Sequence, residues 1–209
     1  MDDHPIVREH LTALINQEND LEVCAQADDA RKAMTAIATR KPDLVIVDLS
    51  LKGVHWLELM KDVRARYPSL PMLVLSMHDE SLYAERTLRA GGQGYISKHE
   101  ATTKVMTAIR RVLKCEIYLS EKMSTKLLHA YVRGRPPAAL PVTQLTDREL
   151  EVFELVGHGR TTQQIAQALR LDMSTIETYR SRIKEKLALG SSTELIQHAV
   201  EWVRDQGAT

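Results

Sequence analysis

Asp43-Leu44-Val45-Ile46-Val47-Asp48 is the stretch that decides how this chain is read. Four apolar residues, two Val and one Ile among them, run between two acids. A short β-branched run bounded by polar residues reads as a strand buried on both faces. Open sheets built from such strands place their chemistry at the carboxyl ends, and Asp48 stands at such an end. Taken alone it reads equally well as a cap on the following helix, so the surrounding chain has to decide.

Toward the N-terminus, Pro5 followed by Val7, Leu11, Leu14 and Ile15 has helical spacing with proline in the first turn. Residues 21–27 read as a short strand and 28–40 as a helix ending before Lys41-Pro42. Beyond Asp48, Gly53 opens a helix through Val54, Leu57, Leu59, Met60 and Val63. Residues 72–76 form the next buried strand, and 81–90 a helix closed by Gly91-Gly92. A strand follows at 94–97, then a helix with Val105, Met106, Ile109, Val112 and Leu113 on one face. Strands alternating with helices predict a doubly wound parallel α/β sheet covered on both sides. A further helix spans 120–132, and the run from Arg133 to Pro141 with its prolines breaks every pattern.

The last third is all helix. Hydroxyl residues followed three positions later by Glu or Gln mark its helix starts: Thr146 with Glu149, Thr161 with Gln164, Ser174 with Glu177, Ser191 with Glu194. They predict four short helices near 146–156, 161–170, 174–187 and 192–204. The expected domains are therefore 1–116, a linker helix and proline-rich linker over 117–143, and a helical domain over 144–209.

The totals agree with two small domains: 209 residues, 44% of them hydrophobic. No apolar run is long enough to span a membrane, and the acidic start does not resemble a signal peptide. Cys24 and Cys115 read as reduced residues rather than a disulfide framework. A cytoplasmic protein is expected. Net charge is zero, but residues 101–144 hold 8 Lys and Arg against 2 acids, whereas residues 1–100 hold 12 against 16. Charge alone does not announce a nucleic-acid binder, so that reading must rest on where the charges lie.

Asp2 and Asp3 precede the first helix. Asp48, Ser76 and Lys98 each stand at a strand end, so all five can converge on one crevice. Carboxylates so clustered repel, and a hard cation such as Mg²⁺ relieves that repulsion. A carboxylate beside a metal, a hydroxyl and an ammonium is suited to accept a phosphoryl group.

At this point the chain resembles the response regulators of two-component systems, of the NarL/FixJ type. The residues that carry the resemblance are Asp2-Asp3-His4-Pro5, Asp48 in VDLSLKG, Ser76 in VLSMHDE and Lys98 in GYISK. The spacings, 45 from Asp3 to Asp48, then 28 to Ser76 and 22 to Lys98, fit a receiver domain. The resemblance implies a flavodoxin-like fold with Asp48 as phosphoacceptor. It implies Mg²⁺ held by Asp2, Asp3, Asp48 and the Ser50 carbonyl. Ser76 and Lys98 would contact the phosphoryl group, and Tyr95 would be the switch aromatic. As a residue alone, Tyr95 also reads as a packing aromatic near a strand. Two departures stand out. The family carries an apolar strand before its acidic pair, and here Met1 directly precedes Asp2. The expectation is a start upstream of Met1 or an impaired receiver. Lys52 also stands where the family usually has proline.

The C-terminal helices add a second site. A helix, a turn at 171–173 and another helix predict a helix-turn-helix whose second helix enters the major groove. That second helix has Arg180, Arg182, Lys184 and Lys186 against Glu177 and Glu185, which by itself also suits a solvated helix. Leu145 to Glu149, Ile165-Ala166 and Ser174 to Leu187 closely resemble the LuxR-type DNA-binding domain. The resemblance implies base and phosphate contacts from Thr175, Glu177, Thr178, Ser181, Arg182 and Lys184, with Thr162, Gln163 and Ser174 at helix ends. Glu177 reads equally as the capping partner of Ser174, and Tyr179 replaces the usual His. In the last helix Leu195, Ile196, Ala199 and Val200 form an apolar stripe, mostly core. By resemblance, part of it makes a dimer contact.

The expected function is a transcription regulator, not an enzyme, switched when a sensor histidine kinase phosphorylates Asp48 and binding DNA as a homodimer. One alternative is a phosphorylation-independent regulator whose degenerate receiver serves only for dimerisation. Another is a phosphatase of the haloacid dehalogenase type, for which Asp48-Leu49-Ser50 lacks the second acid.

Overall fold

The structure is a computed structural model that describes residues 1–50, 56–132 and 141–207. The expected helix start at Gly53 and Val54, the Lys52 position and the centre of the proline-rich linker lie outside those residues. The chain divides into two compact units, Met1–His129 and Ala130–Thr209.

The first unit is built on β1 (Val45–Val47), β2 (Met72–Ser76) and β3 (Gly94–Ser97), a parallel sheet in the order β1-β2-β3. Val47 lies opposite Val74, Val74 opposite Tyr95, and Ser76 opposite Ser97. This register brings Asp48, Ser76 and Lys98 to one carboxyl edge. All five residues of β2 are buried, as befits a central strand covered on both faces. Leu73, Leu75 and Ile96 pack with Leu11 and Ile15 of α1 (Pro5–Ile15) and with Val105, Ala108, Ile109 and Val112 of α5 (Ala101–Leu113). Strand alternation turns Met72 and Val74 the other way. They are buried too, as are Leu59, Met60 and Val63 of α3 (Trp56–Arg66). Asp29 caps α2 (Ala30–Arg40), and Asp79 caps α4 (Glu80–Arg89). Gly91, at φ 94°, takes the left-handed conformation that ends the α4 turn.

Two features of the sheet depart from expectation. The strand expected at 21–27 does not form. That stretch is unladdered, and its backbone hydrogen bonds include Ala27 O with Asp2 N at 3.1 Å and Val23 N with Asn16 Oδ1 at 2.8 Å. A strand is held by its neighbour's ladder, and among the described residues Met1 and Asp2 lie in the neighbouring slot. Met1 N donates to Ile46 O at 2.8 Å, and Asp48 N donates to Met1 O at 2.9 Å. Beyond them a groove of about 540 Å³ runs between residues 21–27 and β1, lined by Leu11, Leu21, Val23, Ile37, Leu44 and Ile46 among others. At the opposite edge, Tyr118 bridges β3: Tyr118 N donates to Gln93 O and Tyr95 N to Tyr118 O, each at 2.9 Å. The chain then enters α6 (Glu121–Val132).

The second unit contains α7 (Asp147–Gly157), α8 (Thr162–Leu169), α9 (Met173–Lys186) and α10 (Ser192–Gly207). Reciprocal capping boxes at Thr146–Glu149 and Thr161–Gln164 start α7 and α8. Leu150, Phe153, Ile165, Ile176, Ile183, Leu195 and Ala199 are buried in its core. The expected box at Ser174 and Glu177 is absent. The N-cap is Asp172, two residues earlier, and Glu177 instead accepts from Thr162 Oγ1 at 2.8 Å.

Candidate functional site

Three backbone junctions build the pocket of the first unit. Asp48 directly follows β1, Lys98 directly follows β3, and Asp2 is fixed beside β1 by the Met1 bonds. The Asp2 and Asp48 side chains are buried, and Lys98 Nζ lies 2.7 Å from Asp2 Oδ2 and 2.7 Å from Asp48 Oδ2. Asp48 Oδ1 is buried and accepts no hydrogen bond of normal geometry. His4 lies over the acids: its N–H donates to Asp2 Oδ1 at 2.8 Å, and its Nδ1 is 3.2 Å from Asp2 Oδ1 and 2.9 Å from Asp3 Oδ1. Asp2, Asp3, His4 and Asp48 each offer one ligand atom, all within 4.8 Å of one another.

The electrostatics follow from burial and the shared cation. Burial pushes the Asp48 carboxyl above the ordinary value, and Lys98 offsets this only in part. Burial also raises Asp2, but there the Lys98 and His4 hydrogen bonds outweigh it and hold the carboxyl low. Lys98 is penalised by burial, yet its two carboxylate partners hold its pKa above the usual lysine value. The two acids thus share one ammonium, and Asp48 Oδ1 is left without a hydrogen bond. A buried orphan oxygen among carboxylates is a donor set that fits a hard divalent cation.

Ser76, fully buried, accepts from His78 N at 3.2 Å. Tyr95 is packed inward at 1% exposure, and its hydroxyl donates to His78 O at 2.7 Å. Burial raises its pKa. Ser50 is exposed, two residues past Asp48, and its backbone amide lowers the Asp48 pKa. Sequence reasoning missed two participants, His4 and His78. Both sit inside the quoted motifs, adjacent to Asp3 and two residues past Ser76.

In the second unit, α8 and α9 are joined through Arg170, which adopts the left-handed conformation at φ 54°. Ile165 and Ala166 of α8 and Ile176 and Ile183 of α9 are buried between them. Gln163, Ser174, Glu177, Thr178, Ser181 and Arg182 are exposed, whereas Thr162, Thr175 and Lys184 are half-buried. Lys186 is half-buried and lies 2.6 Å from the buried Glu149, so its charge is paired within the unit. Of the stripe expected to contain a dimer contact, Leu195 and Ala199 are fully buried and offer no surface to a second copy. Ala199 lies against Gly157, where a Cβ would stand 2.4 Å from Ala199 O. Ile196 is 44% exposed and Val200 half-buried. Among the described residues no helix is long and apolar enough to cross a membrane.

Comparison with known proteins gives a family to each unit. Residues 1–110 match the response regulator receiver domain, and residues 143–199 match the bacterial regulatory proteins of the luxR family. The chain is 33% identical over 205 residues to the oxygen regulatory protein NreC of Staphylococcus aureus, covering 96% of this chain and 94% of that one. A two-component response regulator of the LuxR family from Aurantimonas sp. SI85-9A1 is 30% identical with a TM-score of 0.58, over 63% of this chain and 94% of its own. RcsB of Salmonella enterica serovar Typhimurium, bound to the rprA promoter with the phosphomimetic beryllofluoride, shares the fold at a TM-score of 0.69. It is 23% identical, covering 95% of each chain.

Proposed function

We propose a working cycle for this chain, which belongs to the two-component response regulators that join a receiver domain to a LuxR-type DNA-binding domain. A sensor histidine kinase presents a phosphohistidine at the carboxyl edge of the sheet. An Asp48 oxygen attacks the phosphorus, the O–P bond forms, the P–N bond breaks, and the electron pair stays on the imidazole nitrogen. Asp2, Asp3, Asp48 and the Ser50 carbonyl would hold Mg²⁺, which when bound would neutralise charge on the phosphoryl oxygens. Lys98 exchanges its carboxylate contact for the phosphoryl oxygens, and the Ser76 hydroxyl donates to them. Tyr95, bonded to the loop after Ser76, follows that loop as it shifts.

DNA is read by the second unit. Thr178, Ser181, Arg182 and Lys184, with Thr175 and Glu177, are the side chains of α9 directed to the duplex. Thr162, Gln163 and Ser174 contact phosphates at helix starts. A homodimer on DNA uses the part of α10 left outside the core, Ile196 and Val200. The domains divide within residues 117–143. The family is one of regulators, not a typical enzyme family.

The observation that carries this reading is Lys98 reaching Asp48 at 2.7 Å from 50 positions away, beside an orphaned Asp48 oxygen. Acetyl phosphate with Mg²⁺ is expected to label the full chain and to leave Asp48→Asn unlabelled. Equal labelling of the two proteins would reject Asp48. A second reading, DNA binding without phosphorylation, is favoured by the unladdered stretch 21–27 along the groove beside β1. Promoter binding that beryllofluoride leaves unchanged would select it.

A further inference from the structure

We propose that the His4 imidazole is a ligand of the acidic pocket and gives it a preference for imidazole-binding divalent ions such as Co²⁺ and Zn²⁺ over Mg²⁺. The inference rests on reading that pocket as a divalent-cation site. Its basis is geometric. Donor atoms at right angles around an ion with bonds of about 2.1 Å stand about 3.0 Å apart, and opposed donors about 4.2 Å apart. His4 Nδ1 stands 2.9 Å from Asp3 Oδ1 and 3.2 Å from Asp2 Oδ1. The ligand atoms of Asp2, Asp3, His4 and Asp48 all fall within 4.8 Å of one another. Asp48 Oδ1 is the second, independent mark of a ligand: a carboxylate oxygen on a side chain 1% exposed, with no hydrogen bond of its own.

The fold holds His4 in that place. It is the N-cap residue of α1, yet its side chain makes no capping bond. Its backbone N–H is spent on Asp2 Oδ1 instead, and Pro5 fixes the backbone that follows. The ring therefore covers the acids rather than the helix end. At 62% side-chain exposure it forms the solvent side of the pocket, where an ion enters and leaves.

Chemistry then sets the preference. Mg²⁺ takes oxygen ligands and dehydrates reluctantly, so a nitrogen donor adds little to its binding. Co²⁺ and Zn²⁺ stand higher in the affinity order for mixed nitrogen and oxygen sites, and imidazole suits them. A pocket of carboxylates alone discriminates weakly, and His4 supplies the discriminating donor.

The test is calorimetric titration of the full chain with Co²⁺ and with Mg²⁺, together with proton NMR of the Co²⁺ form. The expected result is a paramagnetically shifted, exchangeable imidazole N–H resonance that excess Mg²⁺ removes. Co²⁺ binding should weaken about tenfold or more in both His4→Ala and His4→Asn, with Mg²⁺ binding changed less than about twofold. Asparagine keeps a hydrogen-bonding side chain over the acids, so it restores a merely structural role and not a ligand. Co²⁺ that Mg²⁺ displaces but that binds wild type and His4→Ala equally overturns the inference and leaves the cation pocket standing. Failure of both ions to bind overturns the pocket and the inference with it.

Discussion

Lys98 Nζ stands 2.7 Å from Asp48 Oδ2 and at the same distance from Asp2 Oδ2, so one ammonium balances two buried carboxylates. Removing it takes away the cation hydrogen-bonded to both acids. Breaking a buried ion pair by deleting one partner costs about 3–5 kcal/mol. Lys98→Met is therefore expected to lower the urea midpoint of the first unit by a matching amount, and added Mg²⁺ to restore part of the loss. An unchanged midpoint would remove Lys98 from the charge balance of the pocket.

Glu149 makes the second unit acid-sensitive. It is buried, and its carboxylate accepts from Thr146 N at 2.7 Å and Lys186 Nζ at 2.6 Å. Burial raises its pKa, but Lys186 and the Thr146 cap outweigh burial and hold it below the ordinary 4.5. A carboxyl whose folded pKa is depressed adds stability above its unfolded pKa and loses it as pH falls through the folded value. The unit should thus weaken below about pH 4.5, the ordinary value. Glu149→Gln should flatten that acid limb and cost about 1.5–3 kcal/mol at neutral pH, as loss of a charged hydrogen bond does. Fluorescence of Trp202, which packs on Phe153 at 5.6 Å, reports the unfolding.

Gly157 sits where α7 meets α10. A Cβ there would stand 2.4 Å from Ala199 O and 2.5 Å from Val203 Cγ2, one of them rigid backbone. Gly157→Ala should destabilise the second unit by about 1–3 kcal/mol, the usual cost of overpacking. Thermal denaturation checks it, and a midpoint equal to wild type would mean that α10 shifts without penalty.

The parts of this molecule legible in sequence were those fixed by local chemistry. The apolar runs at 45–47 and 72–76 became strands because burial on both faces needs no distant information. Thr146 and Thr161 announced helix starts because a capping box is complete within four residues. Ser174 and Glu177 looked the same and failed, because Thr162 on another helix competes for the Glu177 carboxylate. Residues 21–27 failed as a strand for a related reason, since pairing depends on a neighbour that their own composition does not describe. In the pocket, the acids and Lys98 were readable from order and spacing. His4 is not legible in the same way, because its contact with Asp3 depends on a turn rather than on a pattern. Leu195 and Ala199 show the limit of an apolar stripe, which says that a face is covered but not by what.

Arg182 is exposed on α9 and carries the most accessible positive charge of the proposed recognition face. If it contacts a phosphate, Arg182→Ala weakens binding about equally across sequences and lowers the salt slope by about 1. If it contacts a base edge, the loss is about 1–3 kcal/mol at one position of the site. Fluorescence anisotropy at several salt concentrations separates these outcomes. Binding that is unchanged at every salt concentration would place α9 away from the duplex.

The groove beside β1 sets a register that an added strand must obey. Met1 N bonds Ile46 O and Met1 O bonds Asp48 N, so Met1 pairs opposite Val47 in parallel sense. Asp2 N bonds Ala27 O on the other side. A residue appended before Met1 therefore directs its N–H to Ala25 O, and the next one directs its N–H to Leu44 O. The lining of Leu11, Leu21, Val23, Ile37 and Ile46 accepts apolar side chains on both faces. Burying each such side chain contributes about 1.5–3 kcal/mol against about 1–2 kcal/mol of backbone ordering. A four-residue Val and Ile extension fused to Met1 is thus expected to raise the first unit's melting midpoint by several degrees, at about 4 °C or more for each kcal/mol gained. It should also protect the amides of Ala27 and Ile46 from exchange. Placing proline two residues before Met1 removes the N–H aimed at Leu44 O and should cancel most of the gain. Equal midpoints for the apolar and proline extensions would show that the groove does not take a laddered strand.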